Sequence, residues 1–390
     1  MRKKIFVLLS RVPYPLEKGD KLRAFHQIKE LSEQHDIILC ALSDIPIRPE
    51  TRDFLKPFVK QLYVFRLGRL GIFFRLLLSF FTSKPFQVAY FYKRSTRQAI
   101  KKLIKKHDPD YVYCQLIRTA EYIKDLDVNK TLDYQDVFSR GLYRRWQVAP
   151  WYKKVFIGME YRRVLRYEAM VFDCFKKKTI ISYPDRDLIP HMDRDQIEVI
   201  PNGVDFSFFE PKNSDKVYDI IFTGNMAYPP NINGATYLIK KVMPIVWRHL
   251  PNVTVVLAGA NPSLFVKSLE SDRVLVTGWV NDMRDYYSKS KIFVAPMQIG
   301  TGMQNKVLEA MAMGLPCITS ALANDALNAP EGTAVLVGKD AEDFASHIIA
   351  LLNSPDKCEQ LAKNGYQYVR EHYQWSNVCA RLLEIITRVD

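Results

Sequence analysis

The chain has 390 residues, of which 48% are apolar and 25% charged, and it carries a formal net charge of +14. This composition excludes a disordered chain, and the length allows two domains of ordinary size. No apolar run reaches the ~20 residues that a membrane-spanning helix needs. The six cysteines are scattered without a C-x-x-C pair, which favours reduced thiols in a cytosolic protein over a metal site or a disulfide framework.

The positive charge is concentrated in the first half of the chain. Residues 1–200 contain 39 Lys and Arg against 23 Asp and Glu, whereas the remainder contains 17 against 19. Within this half, residues 51–106 carry 14 basic residues and a single acid, Asp53. The imbalance predicts that the first half meets an anionic partner or an anionic surface.

Short apolar runs alternate with longer helical stretches along the whole chain. The predicted strands are 4–10, 37–43, 61–67, 111–115, 130–134 and 178–183 in the first half, and 219–225, 253–259, 274–280, 291–297, 316–320 and 334–338 in the second. Continuous apolar runs separated by segments of crossover length are typical of parallel strands covered on both faces. We therefore expect an α/β protein of two doubly wound, Rossmann-like domains.

A cluster of Pro, Asn and Gly in IEVIPNGVDFSFFEP (197–211) predicts the boundary between the two domains. Ligands of doubly wound sheets bind outside the carboxyl ends of the strands. We therefore expect the functional site in a cleft between the two domains, among the residues that directly follow predicted strands.

The strongest site signal is GTGMQNKVLEAMAMGLP, residues 300–316. Its glycines precede helix-forming residues that continue to Gly314, a predicted helix stop. A glycine loop that opens a helix offers free backbone N–H groups and the positive end of the helix dipole, which together attract an anion. Lys306 adds a positive charge, and Glu309 can accept two hydrogen bonds from a ribose diol. The pattern predicts a nucleotide diphosphate site; a solvated helix with a Lys–Glu pair is the alternative.

Four segments of the second half carry a family resemblance. They are IPNGVDFSFFEP (200–211), VTGWVNDMRDYYSKSKIFVAPM (276–297), KVLEAMAMGLPCITS (306–320) and LAKNGYQYVREHYQWSNV (361–378). Together they resemble the donor domain of the family 4 glycosyltransferases, which have the GT-B fold of two Rossmann-like domains facing across a cleft. The resemblance covers nearly all of the second half and is weaker in the first.

The resemblance implies retaining transfer of a sugar from a nucleotide diphosphate sugar, with UDP or GDP as the nucleotide and without a metal or other cofactor. It implies an acceptor domain over 1–199, a donor domain over 200–374, and a last helix, 375–390, that packs back on the acceptor domain. It places Glu309 at the ribose and Lys306 at the diphosphate. The other donor-binding residues expected on this basis are Gly224, Asn225, Gly300, Thr301, Gly302, Met303, Gln304 and Asn305.

Several family positions differ in this chain. Thr301 stands where the family often has a second Glu, and the Arg and Lys that usually follow the first donor-domain strand are absent from FTGNMAYPPNINGA (222–235). Either asparagines of this segment and helix-start amides replace that cationic pair, or Arg11, Lys18 or Arg23 of the first domain does.

The acceptor side is expected after two strands of the first domain. Gly19 and Asp20 open a helix, as in the family's acceptor loop, and Asp20 is either the helix N-cap or a hydroxyl acceptor. Arg23, one turn further on, can reach an anion. In DYQDVFSR (133–140), Gln135 stands where the family often has His, and Asp133 and Asp136 are expected to share its role. The expected catalytic set is Asp20, Asp136, Lys306 and Glu309.

The segment RLGRLGIFFRLLLSFFTSKPF (66–86) combines apolar residues at helical spacing with surrounding arginines. This is typical of an interfacial helix on an anionic membrane, with a core helix as the alternative. We expect residues 60–106 to contact an anionic membrane surface, and the protein to be cytoplasmic and peripheral on the inner face of the plasma membrane. No recognised nucleic-acid-binding motif is present, which argues against a nucleic-acid partner.

The sequence therefore predicts a retaining glycosyltransferase that moves a hexosyl or related sugar to a membrane-associated or polysaccharide acceptor in cell-surface glycan synthesis. Two alternatives stay open. One is a catalytically weak or silent family member that acts as a partner protein, as Thr301, Gln135 and the missing cationic pair suggest. The other is a nucleotide-sugar epimerase or hydrolase.

Overall fold

The computed structural model describes residues 2–16, 18–299 and 302–388. The strands are β1 (Lys4–Leu9), β2 (Asp36–Ser43), β3 (Gln61–Arg66), β4 (Tyr111–Gln115), β5 (Lys130–Asp133), β6 (Lys177–Ile180), β7 (Glu198–Val199), β8 (Tyr218–Thr223), β9 (Val255–Ala258), β10 (Val274–Gly278), β11 (Ser290–Ala295), β12 (Cys317–Ser320) and β13 (Leu336–Gly338). The helices are α1 (Gly19–Gln34), α2 (Thr51–Leu55), α3 (Arg69–Ser79), α4 (Phe86–Phe91), α5 (Arg94–His107), α6 (Ile117–Ala120), α7 (Phe138–Val148), α8 (Trp151–Asp173), α9 (Tyr183–Arg186), α10 (Pro229–Tyr237), α11 (Met243–His249), α12 (Leu264–Lys267), α13 (Met283–Ser288), α14 (Asn305–Ala312), α15 (Ala321–Leu327), α16 (Ala341–Leu352), α17 (Pro355–Tyr373) and α18 (Trp375–Thr387).

The first compact unit extends to Pro201 and resumes at Val378. Its parallel sheet has the strand order β3-β2-β1-β4-β5-β6-β7. The central strands β1, β2 and β4 are almost entirely buried, whereas the edge strand β3 is only half-buried. The order reverses between β1 and β4, and the loops that follow these two strands therefore meet at one edge of the sheet.

The second unit runs from Asn202 to Asn377 and contains its own parallel sheet, in the order β10-β9-β8-β11-β12-β13. Its order reverses between β8 and β11. Nearly continuous apolar runs form these strands, and their side chains fill one core together with the inner faces of α14, α16 and α17. The carboxyl ends of β8 and β11 are consequently the place where a doubly wound sheet binds its ligand.

Each of the twelve predicted strands coincides with an observed strand, with ends that differ by a few residues. The sequence missed β7, because two residues are too short to form a recognisable apolar run. The first unit ends two residues after the expected boundary at 199, and the last helix begins at the expected Trp375, with its residues from Val378 onward in the first unit. All six cysteines are free thiols, as expected.

Candidate donor site and acceptor-side residues

In the second unit, the site is built around the start of α14, which follows the loop after β11. Val307, Leu308 and Met311 are buried against the sheet, as their spacing predicts. Among the described residues, no side chain caps the start of this helix; the backbone N–H of Val307 donates to the backbone oxygen of Gln304, which leaves the N–H groups of Asn305 and Lys306 for a ligand. Gly314, in the left-handed region with φ of 72°, follows the end of the helix at Ala312, which confirms the predicted stop.

Lys306 is only 9% exposed, which excludes the alternative of a solvated Lys–Glu helix face. Its Nζ donates a hydrogen bond to Oδ1 of Asn231 over 2.6 Å and lies 4.5 Å from the centroid of the Phe222 ring. Among the described residues, no carboxylate lies within ion-pair distance of this amine. Burial lowers the pKa of Lys306 to about 7, and the nearby charge of Glu309 opposes the shift only in part. The protonated amine is therefore a buried positive charge that has no ion-pair partner among the described residues.

The loop after β8 holds Asn231 in place. Its Nδ2 donates to the backbone oxygen of Asn225 over 3.0 Å, while Oδ1 of Asn225 accepts from the backbone N–H of Ala227. Gly224 has φ of +149°, and a Cβ there would lie 2.6 Å from Nδ2 of Asn231. Gly224 is thus required for the close packing of the asparagine side chain that contacts Lys306. The sequence singled out Gly224 and Asn225 but did not assign Asn231 as the partner of Lys306.

Glu309 lies one turn after Lys306 and is oriented by a residue that sequence reasoning did not assign. The hydroxyl of the fully buried Tyr287 donates to Oε2 of Glu309 over 3.0 Å and accepts from Oγ1 of Thr223, 2.9 Å away. Burial raises the pKa of Glu309, although the Tyr287 hydrogen bond and the Lys306 charge oppose this effect. Tyr287 therefore fixes the direction in which the carboxylate can accept hydrogen bonds.

The remaining predicted donor residues flank the helix start. Oδ1 of Asn305 accepts a hydrogen bond from Asn202 over 3.1 Å, and Nε2 of Gln304 donates to the backbone oxygen of Gly302 over 2.9 Å. Met303 packs against the core of the second unit. Gly300 and Thr301 lie outside the described residues.

In the first unit, Asp20 is paired with Arg11 over 2.6 Å. Helix α1 begins at Gly19, and Lys18 occupies the cap position, so the expectation of Asp20 as the N-cap is not met. Arg118, which follows β4, lies over the rings of Phe91 and Phe138, at 5.4 and 4.7 Å from their centroids. Burial, reinforced by the positive charge of Arg11, lowers the pKa of Arg118 to about 10.

Arg23 and Asp133 do not face a ligand-binding surface of the first unit, contrary to expectation. Their side chains are 1% and 0% exposed, and Nε of Arg23 lies 2.8 Å from Oδ2 of Asp133. Tyr113 donates to the same carboxylate over 2.7 Å, and Arg23 also donates to the backbone oxygen of Pro201. A buried Arg needs a paired acid and a buried Asp needs donors, so each satisfies the other as part of the core.

Gln135 and Asp136 follow β5 and differ in burial. Gln135 is 5% exposed and adopts a left-handed backbone with φ of 60°. Its Nε2 has no hydrogen-bond partner among the described residues. Asp136 is exposed, so the two expected acceptor-side carboxylates, Asp133 and Asp136, are in different environments.

Helix α3 exposes a large apolar surface, which argues against the core helix predicted as one of its two alternatives. We call Leu70, Phe73, Phe74 and Leu78 the α3 face; all four are exposed, Leu70 to 78%. Only Ile72 and Ser79 of this helix are buried. None of the helices within the described ranges is both long and apolar enough to cross a membrane.

Known proteins resemble this chain in sequence and in fold. Residues 217–354 match the family model described as "Glycosyl transferases group 1". A Klebsiella pneumoniae protein described as "Uncharacterized 44.6 kDa protein in cps region" is 24% identical over 402 residues, which cover 98% of this chain and 99% of that protein. The Escherichia coli UDP-Gal:alpha-D-GlcNAc-diphosphoundecaprenol alpha-1,3-galactosyltransferase is 28% identical over 208 residues, 46% of this chain and 53% of that enzyme. The crystal structure of Anabaena HepE in complex with UDP matches with a TM-score of 0.67 at 15% identity, covering 99% of this chain and 100% of that one.

The two Rossmann-like units and the likeness to the HepE structure show the GT-B fold, and the cationic helix start lies at the switch point of the second unit. The match to the group 1 glycosyltransferases is confined to residues 217–354, and this part of the chain contains Lys306 and Glu309.

Proposed function

We propose that the protein is a retaining transferase of the family 4 type, which moves a hexosyl or related sugar from a UDP- or GDP-sugar to a lipid-linked or polysaccharide acceptor. One observation carries this proposal: the buried Lys306 amine, at the uncapped start of α14, has no carboxylate partner among the described residues. A buried cation of this kind is stabilised by an anionic ligand, and a nucleotide diphosphate supplies the anion.

The donor is held by three contacts in this proposal. Lys306 and the first N–H groups of α14 bind the diphosphate, and Glu309, oriented by Tyr287, accepts the ribose hydroxyl hydrogens. UDP is the favoured nucleotide, because the Escherichia coli relative is described as using UDP-Gal and the Anabaena structure contains UDP. The asparagines around Lys306 take the place of the cationic pair that the sequence lacks.

The reaction breaks the bond between the anomeric carbon and the diphosphate oxygen and forms a bond between that carbon and the acceptor hydroxyl oxygen. The hydroxyl proton passes to the departing diphosphate on the same face of the sugar. The negative charge that grows on the diphosphate is the largest electrostatic change, and Lys306 and the helix-start amides stabilise it. No metal ion has a role in this mechanism.

The names of two relatives and the surface of the first unit support the proposed acceptor and location. The name of the Escherichia coli relative contains a GlcNAc-diphosphoundecaprenol acceptor, and the Klebsiella pneumoniae relative is described as a protein in the cps region. The apolar α3 face, in a strongly basic segment, suits peripheral attachment to an anionic membrane. We place the protein on the cytoplasmic side, in the synthesis of a cell-surface glycan.

A catalytically silent partner protein is the second candidate. It is favoured by the burial of Arg23 and Asp133, which removes two side chains expected at the acceptor from ligand-binding roles in the first unit. An enzyme loses turnover when Glu309 is replaced by Ala, whereas a silent partner keeps its biological effect.

The test is release of nucleoside diphosphate from a panel of UDP-, GDP- and ADP-sugars, with and without lipid-linked acceptors. We expect acceptor-dependent release that is insensitive to EDTA, and NMR of the product should show an unchanged anomeric configuration. Intact nucleotide binding without release supports the silent partner, and release without acceptor supports a hydrolase.

A further inference from the structure

A groove with a volume of about 970 Å³ lies between helices α7 and α8 and the loop that follows α3. Trp146 contributes one wall, and Val155, Met159 and Met170 contribute apolar surface from α8. All of these residues belong to the first unit. The groove is separate from Lys306 and Glu309, which belong to the second unit.

At one edge of the groove, α7 and α8 approach closely at Gly158. A Cβ on Gly158 would lie 3.1 Å from Nε1 of Trp146, so the indole rests directly on the backbone of α8. Val155, Met159, Arg162 and Arg166 follow each other at spacings of three and four residues and line the same side of the helix. Apolar and cationic groups thus succeed one another along one groove.

The charged part of the groove contains cations without acids. Arg162 and Arg166 are exposed and one helical turn apart, and neither has an ion-pair partner among the described residues. Lys154 lies 5.7 Å from the centroid of the Trp146 ring. Within the part of the chain that the structure describes, no acidic residue lines the groove. Like charges one turn apart repel each other, and an anion bound between them removes this repulsion.

Of the three acidic residues of α8, Asp173 lies at the end of the helix, 3.2 Å from Nε2 of His191, and the other two are buried. Glu160 is buried and accepts from the backbone N–H of Phe86 over 2.8 Å. Glu168 is fully buried and accepts from the backbone N–H of Ser139 over 3.2 Å. The positive potential at Arg162 and Arg166 is therefore not neutralised from within α8.

An exposed apolar surface adjoins the groove. Phe81 is 90% exposed, and Val155, which lines the groove, is 81% exposed. The rings of Phe80 and Phe156 are 6.1 Å apart and connect the end of α3 with the beginning of α8. An amphiphile can therefore place its apolar chain along these residues and its anionic group at the arginines.

We propose that this groove binds the diphosphate and the first isoprene units of a polyisoprenyl diphosphate, the carrier of a lipid-linked acceptor. The inference rests on the proposed function, because that function requires such an acceptor. Two guanidinium groups one turn apart match two linked phosphates, and each can bind phosphate oxygens in a bidentate manner. The apolar wall buries the isoprene methyl groups.

The experiment uses the full chain and farnesyl diphosphate as the probe, with binding measured by isothermal titration calorimetry. We expect Arg162→Gln combined with Arg166→Gln to weaken farnesyl diphosphate binding by at least ~10-fold, the loss of charge-assisted hydrogen bonds. UDP affinity should stay within about twofold, and a Tm close to that of the wild type shows that the variant is folded. The matched control is Lys102→Gln combined with Lys106→Gln, which removes the same charge from exposed positions of α5 and should leave the affinity unchanged.

Three results would overturn the inference. The first is no binding of farnesyl diphosphate at concentrations up to ~1 mM, since a Kd of ~1 mM corresponds to a binding free energy of only about −4 kcal/mol. The second is equal weakening in both double variants, which shows general charge attraction. The third is loss of binding to phosphatidylglycerol vesicles with unchanged farnesyl diphosphate binding, which assigns the arginines to phospholipid headgroups.

Failure of the proposed function gives a different pattern. If farnesyl diphosphate binding depends on the arginine pair but no donor is turned over, the groove proposal stands and the proposed glycosyltransferase activity is wrong. If turnover with a lipid-linked acceptor is unchanged when both arginines are replaced, the proposed glycosyltransferase activity stands and the groove proposal is wrong.

Discussion

The Lys306 ammonium donates to the amide oxygen of Asn231 over 2.6 Å, across 75 residues of sequence. An amide oxygen satisfies one N–H of the ammonium but does not cancel its charge. The amine is thus buried, and the nearby charge of Glu309 offsets the cost of burial only in part, which explains the low pKa of Lys306, about 7. In the proposed function, the diphosphate of the donor supplies the anion that pairs with this amine.

The stability of the protein should depend on the protonation of Lys306. Burial lowers the pKa of Lys306 from 10.5 in the unfolded chain to about 7 in the folded protein. Between these values the unfolded chain binds more protons, so stability rises as pH increases from about 7 toward 10. We expect Lys306→Met to raise the Tm by about 2–6 °C at pH 6 and by clearly less at pH 9, measured by calorimetry.

The control for this prediction is Lys267→Met, a substitution of an exposed lysine in the same unit. Its effect on the Tm should be small and the same at both pH values. A Lys306→Met effect that does not change between pH 6 and pH 9 contradicts the low pKa of Lys306.

Nucleotide binding should take up a proton above pH 7. A bound diphosphate stabilises the charged form of Lys306, so binding at high pH must first protonate the amine. We expect the UDP affinity of the wild type, relative to that of Lys306→Gln, to fall by up to ~10-fold per pH unit above pH 7. Calorimetry in two buffers with different ionisation enthalpies counts the protons; equal counts in the wild type and the variant exclude Lys306 as their source.

Glu309 should discriminate nucleotides that have a ribose diol. We expect the wild type to bind UDP more tightly than 2′,3′-dideoxyuridine diphosphate. Glu309→Gln should reduce this preference by about 10-fold, because it weakens a hydrogen bond to a charged acceptor. Tyr287→Phe should reduce it less, because the carboxylate remains but loses the hydroxyl that orients it. If both variants keep the full preference in competition titrations, Glu309 does not contact the ribose.

The α3 face should control attachment to anionic vesicles. Burying a large apolar side chain in the membrane interface contributes about 1.5–3 kcal/mol, so Phe73→Ser with Phe74→Ser should lower vesicle partitioning at least ~10-fold in a sedimentation assay. Leu264→Ser with Phe265→Ser is the matched control, since both residues are exposed but belong to the second unit. Equal losses in the two double variants indicate a general effect of apolar surface area.

The Arg23–Asp133 pair should stabilise the first unit rather than bind the acceptor. Removing one partner of a buried ion pair leaves an uncompensated charge, which costs about 3–5 kcal/mol. We expect Asp133→Asn to lower the Tm strongly in thermal unfolding, whereas Asp36→Asn, which breaks the exposed pair with Arg2, should cost less than ~1 kcal/mol. A stable Asp133→Asn protein with a raised acceptor KM would restore the acceptor role predicted from the sequence.

The sequence was a good guide to the strands and a poorer guide to the contacts between side chains. Apolar runs such as KIFVLL predict their strands because burial on both faces requires local apolar continuity. The position of Lys306 at a helix start was also predictable from local sequence, because glycines directly precede the helix-forming residues. Its contact with Asn231 was not, because only the sheet order brings the loops after β8 and β11 together.

The acceptor side shows the same limit more clearly. Arg23 and Asp133 each follow a motif of the resembled family, yet they form a buried pair across 110 residues. Neither residue carries a local signal that distinguishes a buried ion pair from a ligand-binding group. Gln135 could be located after β5, but its left-handed backbone, with φ of 60°, could not be predicted from a non-glycine residue.

The return of α18 to the first unit bears on the order of events during synthesis. Cys379, Leu382 and Ile386 are buried and belong to the first unit, whose remaining part ends at Pro201. On the ribosome, the second unit is therefore available in full before the first unit can bury these last side chains. Domains usually fold in the order in which they are synthesised, but here the N-terminal unit is the last to be completed.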